Sequence, residues 1–78
     1  MEINLNNNVY NHCKAFAKNI RFERNSKGLT QKDIADMLGV KTQSYQAYES
    51  GITLPSSENL LKLAIVLDLS IDELFELK

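Results

Sequence analysis

The sequence predicts an all-α fold of five helices in one compact domain. Thr30 and Asp33 have the spacing of a capping box, in which each of two side chains accepts a hydrogen bond from the backbone N–H of the other residue. Gly28 and Gly39 follow segments whose apolar residues recur every three or four positions, and glycine readily adopts the left-handed conformation that ends helices. The 78 residues suffice for one domain with a marginal hydrophobic core.

Residues 29–51 predict two short helices joined by a tight turn, which is a helix-turn-helix. The earlier helix starts at the Thr30 cap, carries apolar residues on one face and stops at Gly39. The later helix runs from about Thr42 to Ser50. Tyr45 and Tyr48 are three positions apart in it, which assigns them mainly to packing and leaves the opposite side to solvent.

The exposed side of this later helix carries amides and hydroxyls instead of the Lys and Glu of an ordinary solvated helix. Gln43 or Gln46 could hydrogen-bond adenine N6 and N7 together, while Ala47 or the Thr42 methyl suits the methyl group of thymine. For an isolated helix, a merely solvated face would be the better interpretation. The capped helix before it and the turn at Gly39 favour major-groove recognition.

The helix before this motif is expected from about Val9 to Lys27, in a single domain of residues 9–78 preceded by a flexible segment of residues 1–8. Its inward stripe ends with Arg24, a charge that must be paired if it is buried. Cys13 is expected to be a small buried residue, and Phe22 fits no stripe. Beside the apolar stripe runs a basic one, which is either solvated or faces DNA phosphates: Lys14, Lys18 and Arg21.

The fourth helix follows Pro55, is capped by Ser56 or Ser57, and is apolar nearly all round. It either contacts another chain or lies centrally in the core. A second capping box, formed by Ser70 and Glu73, opens a short fifth helix. Leu77, near the terminus, is a candidate for the same intermolecular contact.

Composition excludes several classes of protein. The net charge of −1 lacks the overall basicity of many DNA binders, but residues 1–50 carry seven basic and five acidic residues, against two and five in residues 51–78. The basic half contains the helix-turn-helix. No apolar run is long enough to cross a bilayer, and residues 1–8 do not resemble a secretory signal, so we expect a cytoplasmic protein with no membrane contact.

Neither catalysis nor a cofactor is expected. His12 and Cys13 are the only residues of their types, which excludes an internal disulfide and leaves too few ligands for structural zinc. No Ser/His/Asp or Cys/His set and no Gly-rich phosphate loop is present.

The chain resembles the XRE family, the Cro and phage-repressor type of helix-turn-helix protein, from roughly Ile20 to Phe75. The resemblance implies a compact five-helix, lambda-repressor-like DNA-binding domain with the helix-turn-helix at helices 2 and 3. The matching residues, specific in their joint order, are Leu29-Thr30-Gln31, Ile34-Ala35, Leu38-Gly39-Val40, Tyr48-Glu49, Gly51, Pro55, Leu60, Ala64 and Ser70-x-Asp72-Glu73-Leu74.

The resemblance also implies residue roles. Thr42, Gln43 and Ala47 match base-contacting positions, and Gln31 matches one that contacts phosphate and braces the glutamine below it, so that Gln31 and Gln43 are expected to work together. Arg24 and Glu49 match a structural ion pair. Three further residues are expected to contact DNA, with Lys41 at a phosphate and the other two at phosphate or base: Lys41, Ser44 and Gln46.

Three departures from the family pattern qualify these roles. Lys41 stands where a Ser or Thr cap is frequent, which leaves the start of the later helix of the motif, the recognition helix, uncertain by one residue. The loop residues Ile52–Leu54 replace frequent basic residues, which predicts fewer phosphate contacts. Glu23 stands at an often apolar position and is expected on the surface.

A small repressor of a phage, plasmid or other mobile element is the favoured interpretation. Weak binding by one domain predicts a homodimer, formed through the fourth and fifth helices, on a palindromic double-stranded operator. The alternative is a protein-interaction module, such as an antitoxin-like partner, with secondary DNA binding. The near-neutral charge, the apolar loop at Ile52 and Leu54 and the apolar fourth helix favour that alternative.

Overall fold

The computed structural model describes residues 5–77, which form five α-helices and no strand. The predicted all-α, five-helix architecture is confirmed. α1 contacts α3, α4 and α5, while α2 contacts α3 and α4. None of the helices within residues 5–77 has the length and apolar character needed to span a bilayer. The helices are α1 (Leu5–Ser26), α2 (Gln31–Leu38), α3 (Thr42–Glu49), α4 (Ser57–Leu67) and α5 (Ile71–Phe75).

α1 begins at Leu5, four residues before the expected start at Val9. Part of the segment expected to be flexible, residues 5–8, is therefore helical, and residues 1–4 lie outside the described residues. Asn-rich sequence is a weak helix former, but adding residues to an existing helix costs little compared with nucleating one. The other end matches expectation more closely, with Ser26 as the last helical residue.

The turn between α2 and α3 follows the predicted capping chemistry. Thr30 Oγ1 accepts from the Asp33 N–H at 3.0 Å, and Asp33 Oδ2 accepts from the Thr30 N–H at 2.9 Å. Gly39 has a φ of 75° and donates its N–H to carbonyls of the last turn of α2. α3 starts at Thr42, with Lys41 as an N-cap whose side chain makes no capping bond.

The core lies between α1 and the remaining helices. Phe16 and Ile20 of α1 are fully buried, and the Phe16 ring stacks on that of Phe75 at 4.8 Å. Cys13, expected to be buried, is only half-buried because it lies one turn before this core. Phe22 is 65% exposed, which agrees with its position outside the apolar stripe. The other fully buried large side chains are Ile34, Leu38, Tyr45, Leu63, Leu67 and Leu74.

α4 packs one side into the core and exposes the other. Ser56, one of the two proposed caps, accepts from the Asn59 N–H at 3.3 Å. Leu63 and Leu67 are buried, whereas Leu61 is 58% and Ile65 79% exposed. One side of this helix thus lies in the core as proposed, while contact of the exposed side with another chain stays a prediction.

α1 holds α5 through two polar side chains. The His12 ring Nδ1 lies 2.7 Å from the Phe75 carbonyl oxygen, and Asn19 Nδ2 donates to the Leu74 carbonyl at 2.9 Å. These carbonyls belong to the end of α5, where no further helical turn can satisfy them. The predicted capping box of Ser70 with Glu73 is present at the other end of the helix.

Candidate nucleic-acid interface

α3 buries its two tyrosines and exposes the opposite side. Tyr45 and Tyr48 lie in the core with their rings edge to face, 6.0 Å apart. The predicted DNA-contacting residues lie at the protein surface. Lys41, Gln43, Ser44 and Gln46 are exposed, and Gln31, Thr42 and Ala47 are half-buried.

Arg24 and Glu49 form a buried ion pair between α1 and α3. Arg24 Nε lies 2.5 Å from Glu49 Oε2, and Nη2 donates to Oε1 at 3.1 Å. Nη1 of the same guanidinium donates to the Leu29 carbonyl at 2.8 Å, just before α2. The two residues are only 9% and 6% exposed. This bidentate contact joins α1, α3 and the chain leading into α2.

The pair is charged at neutral pH. Burial alone would raise the pKa of Glu49, but polar contacts with Arg24, Tyr45 and Gln31 outweigh it, and the pKa is lowered. The hydrogen bond to Glu49 likewise raises the pKa of Arg24 despite its burial. The Tyr45 hydroxyl lies close to both charges, and its burial raises its pKa strongly. The geometry of that hydroxyl falls short of a regular hydrogen bond to either of them.

Gln31 is hydrogen-bonded to Gln46 and not to Gln43, the partner that we expected. Gln31 Nε2 donates to Glu49 Oε1 at 3.1 Å, and Gln46 Nε2 donates to Gln31 Oε1 at 3.1 Å. Gln46 and Glu49 are three positions apart and therefore neighbours on α3, so a side chain that reaches Glu49 also meets Gln46. Gln43 lies about one helical turn further from Glu49.

An open groove runs beside α3, and the basic residue at its edge comes from α1. Arg21 lines this groove and also a second depression that contains Lys14 and Lys18. The sequence left this basic stripe undecided between solvent and phosphates, but the structure makes it continuous with the exposed side of α3. Arg21 precedes Arg24 by three positions, and that spacing is the signal in the sequence for this proximity. The residues lining the groove are Arg21, Gln31, Gln43, Gln46, Ala47, Glu49, Ser50 and Ile52.

Two of the departures from the family pattern have clear structural outcomes. Ile52 and Leu54 are exposed, and Ile52 lines the groove. Glu23 is half-buried, with Oε1 3.6 Å from Lys27 Nζ on the next turn of α1. It is thus neither fully exposed, as expected, nor buried.

This arrangement defines a helix-turn-helix domain that presents a polar helix. The profile of the helix-turn-helix family matches residues 20–74, and the chain belongs to that family. It is 48% identical over 52 residues to the cryptic phage CTXphi transcriptional repressor RstR of Vibrio cholerae, a match that covers 67% of this chain and 46% of RstR.

Two other relatives extend the comparison. The uncharacterized HTH-type transcriptional regulator YqaE of Bacillus subtilis is 38% identical over 61 residues, covering 78% of this chain and 53% of YqaE. Human endothelial differentiation-related factor 1 is 46% identical over 46 residues, a match that covers 59% of this chain and 31% of that factor. The chain thus spans about half the length of the two bacterial relatives. No solved structure matches it significantly.

Proposed function

We propose that this chain is a sequence-specific regulator of transcription that binds double-stranded DNA by inserting α3 into the major groove. The observation that carries the proposal is that α3 is locked to α1 through Arg24 and Glu49 while its opposite side remains exposed and polar. A rigid helix with hydrogen-bonding side chains is what readout of base edges requires. The RstR name supports repression as the mode of regulation.

Each exposed residue has a proposed contact. Thr42, Gln43 and Ala47 would meet base edges, because helix-turn-helix proteins contact bases with the start of the second helix. Lys41 would meet a phosphate at the edge of the groove, and Ser44 a phosphate or base. Gln31 lies in the first turn of α2, where free N–H groups and the helix dipole favour a phosphate.

A homodimer would supply the affinity that one domain lacks. Leu61 and Ile65 are exposed one helical turn apart on α4, and Leu77 after α5 is also exposed. A two-fold axis through α4 and α5 would place two α3 helices about 34 Å apart, on a palindromic operator. Such a regulator would act in the cytoplasm, and its role is binding without catalysis.

Selection of bound fragments from random DNA, followed by sequencing, tests this function. We expect an enriched palindrome with half-sites about one helical turn apart. Gln43→Ala should relax the preference at one base position and cost about 1–3 kcal/mol in binding free energy. Lys41→Ala, its matched control, should weaken all sequences alike and lower the salt slope by about one. A selection that enriches no sequence at low salt would refute the proposal.

A protein-interaction role is the second candidate, and one observation favours it. Ile52 and Leu54 are exposed, and Ile52 lines the groove, where a basic residue would serve DNA better. If this candidate is right, the chain should co-purify with a second protein, and Ile52→Lys should break that complex. The same substitution should strengthen DNA binding if the first proposal holds, because it adds a cation beside the phosphates.

A further inference from the structure

A network of four hydrogen-bonded side chains runs from the core to the exposed side of α3. It starts at Arg24, passes through Glu49 and Gln31, and ends at Gln46, with each step a hydrogen bond of 2.5 to 3.1 Å. We propose that this network of side chains fixes the orientation of the Gln46 amide, so that Gln46 selects a base with a hydrogen-bond donor on its major-groove edge. This inference rests on the proposed function and adds a specificity rule to it.

The direction of every bond follows from the first charge. A carboxylate can only accept hydrogen bonds, so the ionised Glu49 requires Gln31 to approach with its Nε2. The Gln31 oxygen then faces α3, and because that oxygen also only accepts, Gln46 must donate with its own Nε2. The Gln46 Oε1 is left for a ligand. The orientation of both amides thus follows from the negative charge of Glu49.

The orientation of Gln46 decides which bases fit. Adenine offers its N6 amino group to the free Oε1, and its N7 can accept the second N–H of Gln46. Cytosine offers only its N4 amino group. Guanine and thymine would present O6 or O4 to Oε1, which places two acceptors against each other. Rotating the amide would relieve that contact, but the rotation would break the bond to Gln31 and oppose two oxygens there.

An unbraced glutamine would be less selective. Without Gln31 as acceptor, the Gln46 amide can rotate by 180° and donate to guanine or thymine at little cost. The network therefore makes Gln31 a positioning residue that acts through Gln46. This role is separate from any phosphate contact of Gln31, because a lost phosphate contact weakens binding to all sequences equally.

The experiment compares wild type with Gln31→Met, which keeps the length of the side chain but forms no such bonds. Gln46→Ala first identifies the base pair that Gln46 reads, as the position where the preference disappears. Fluorescence titration then measures Kd for the four bases at that position. We expect wild type to favour adenine, then cytosine, and Gln31→Met to reduce the penalty for guanine and thymine about tenfold. Met37→Leu, the control at an exposed residue of α2 that does not line the groove, should leave this preference unchanged.

A DNA-free measurement separates this inference from the proposed function. In 15N-labelled wild type, the Gln46 side-chain amide should exchange slowly with water, and Gln31→Met should abolish that protection. Fast exchange in wild type would overturn the inference. So would a uniform loss of affinity in Gln31→Met with the preference retained, since Gln31 would then contact only phosphate. Slow exchange together with no DNA binding by wild type would overturn the proposed function, and with it the base preference. The hydrogen-bond network itself would then stand.

Discussion

Removing the Glu49 carboxylate should destabilise the domain severely. Arg24 is 9% exposed in the wild type, and Glu49→Ala would leave its guanidinium with one hydrogen bond, the one to the Leu29 carbonyl. Breaking a buried pair from one side typically costs about 3–5 kcal/mol, because the other charge stays in the protein interior without compensation. Against a total stability of about 5–15 kcal/mol, near the lower end for so small a domain, this loss removes most of the margin.

Urea denaturation followed by circular dichroism measures this loss. For a domain of this length, each kcal/mol shifts Tm by about 4–8 °C, so the thermal midpoint should fall by at least about 12 °C. The matched control is Glu58→Ala, which breaks an exposed pair with Lys62 on α4, in which the Glu58 side chain is 79% exposed. That change should leave both midpoints nearly unchanged, because exposed pairs contribute little.

The double variant Arg24→Met/Glu49→Met tests whether the unpaired charge of Arg24 causes the loss of stability. Replacing both charges by apolar side chains is often neutral or stabilising, so the double variant should be more stable than Glu49→Ala. The reasoning would be refuted by a Glu49→Ala protein with wild-type midpoints, since water would then be solvating both groups. A double variant less stable than the single one would show that the network contributes beyond pairing.

Three further predictions concern stability and assembly. Tyr45→Phe removes a buried hydroxyl that helps to keep the pKa of Glu49 low, and it should lower the free energy of unfolding by about 1 kcal/mol in the same urea assay; an unchanged or higher value would show that the hydroxyl makes no favourable contact. The pKa of Glu49 is lowered from its ordinary value of 4.5, so its contribution to stability is present above pH 4.5 and is lost as the pH falls through the lower native value. Urea midpoints measured in acid should therefore fall with pH in the wild type, and this dependence should be absent in Glu49→Gln. Ile65→Glu should convert a dimer into monomers in sedimentation velocity, whereas Met37→Glu, at an exposed apolar residue of α2, should not; an unchanged mass for Ile65→Glu would place the interface elsewhere.

The local architecture was predictable from the sequence because its signals lie within a few residues of one another. The capping boxes at Thr30 and Ser70 act over three residues, and the left-handed turn at Gly39 depends on one residue and its flanks. The same signals placed the recognition helix within one residue of its observed start at Thr42. The extension of α1 to Leu5 was missed because four Asn residues between positions 4 and 8 are each a possible N-cap, so the sequence does not single out one start.

The candidate site was predictable only in part. The residues on α3 followed from helical periodicity, but the partner of Gln31 did not, since Gln43 and Gln46 are both glutamines on the exposed side of one helix. Which of them meets Gln31 depends on the angle and rotation between α2 and α3. The position of Arg21 beside the groove likewise depends on how α1 crosses α3.

The amino-acid order alone determined the five helices, their caps and the turn between α2 and α3, because backbone hydrogen bonding at helix ends is settled by near neighbours. Only the tertiary structure decided which side of α4 stays exposed and how Gln46 is joined to the buried Arg24. Those outcomes depend on side-chain packing between helices distant in the sequence, and no short-range pattern records the crossing geometry that results.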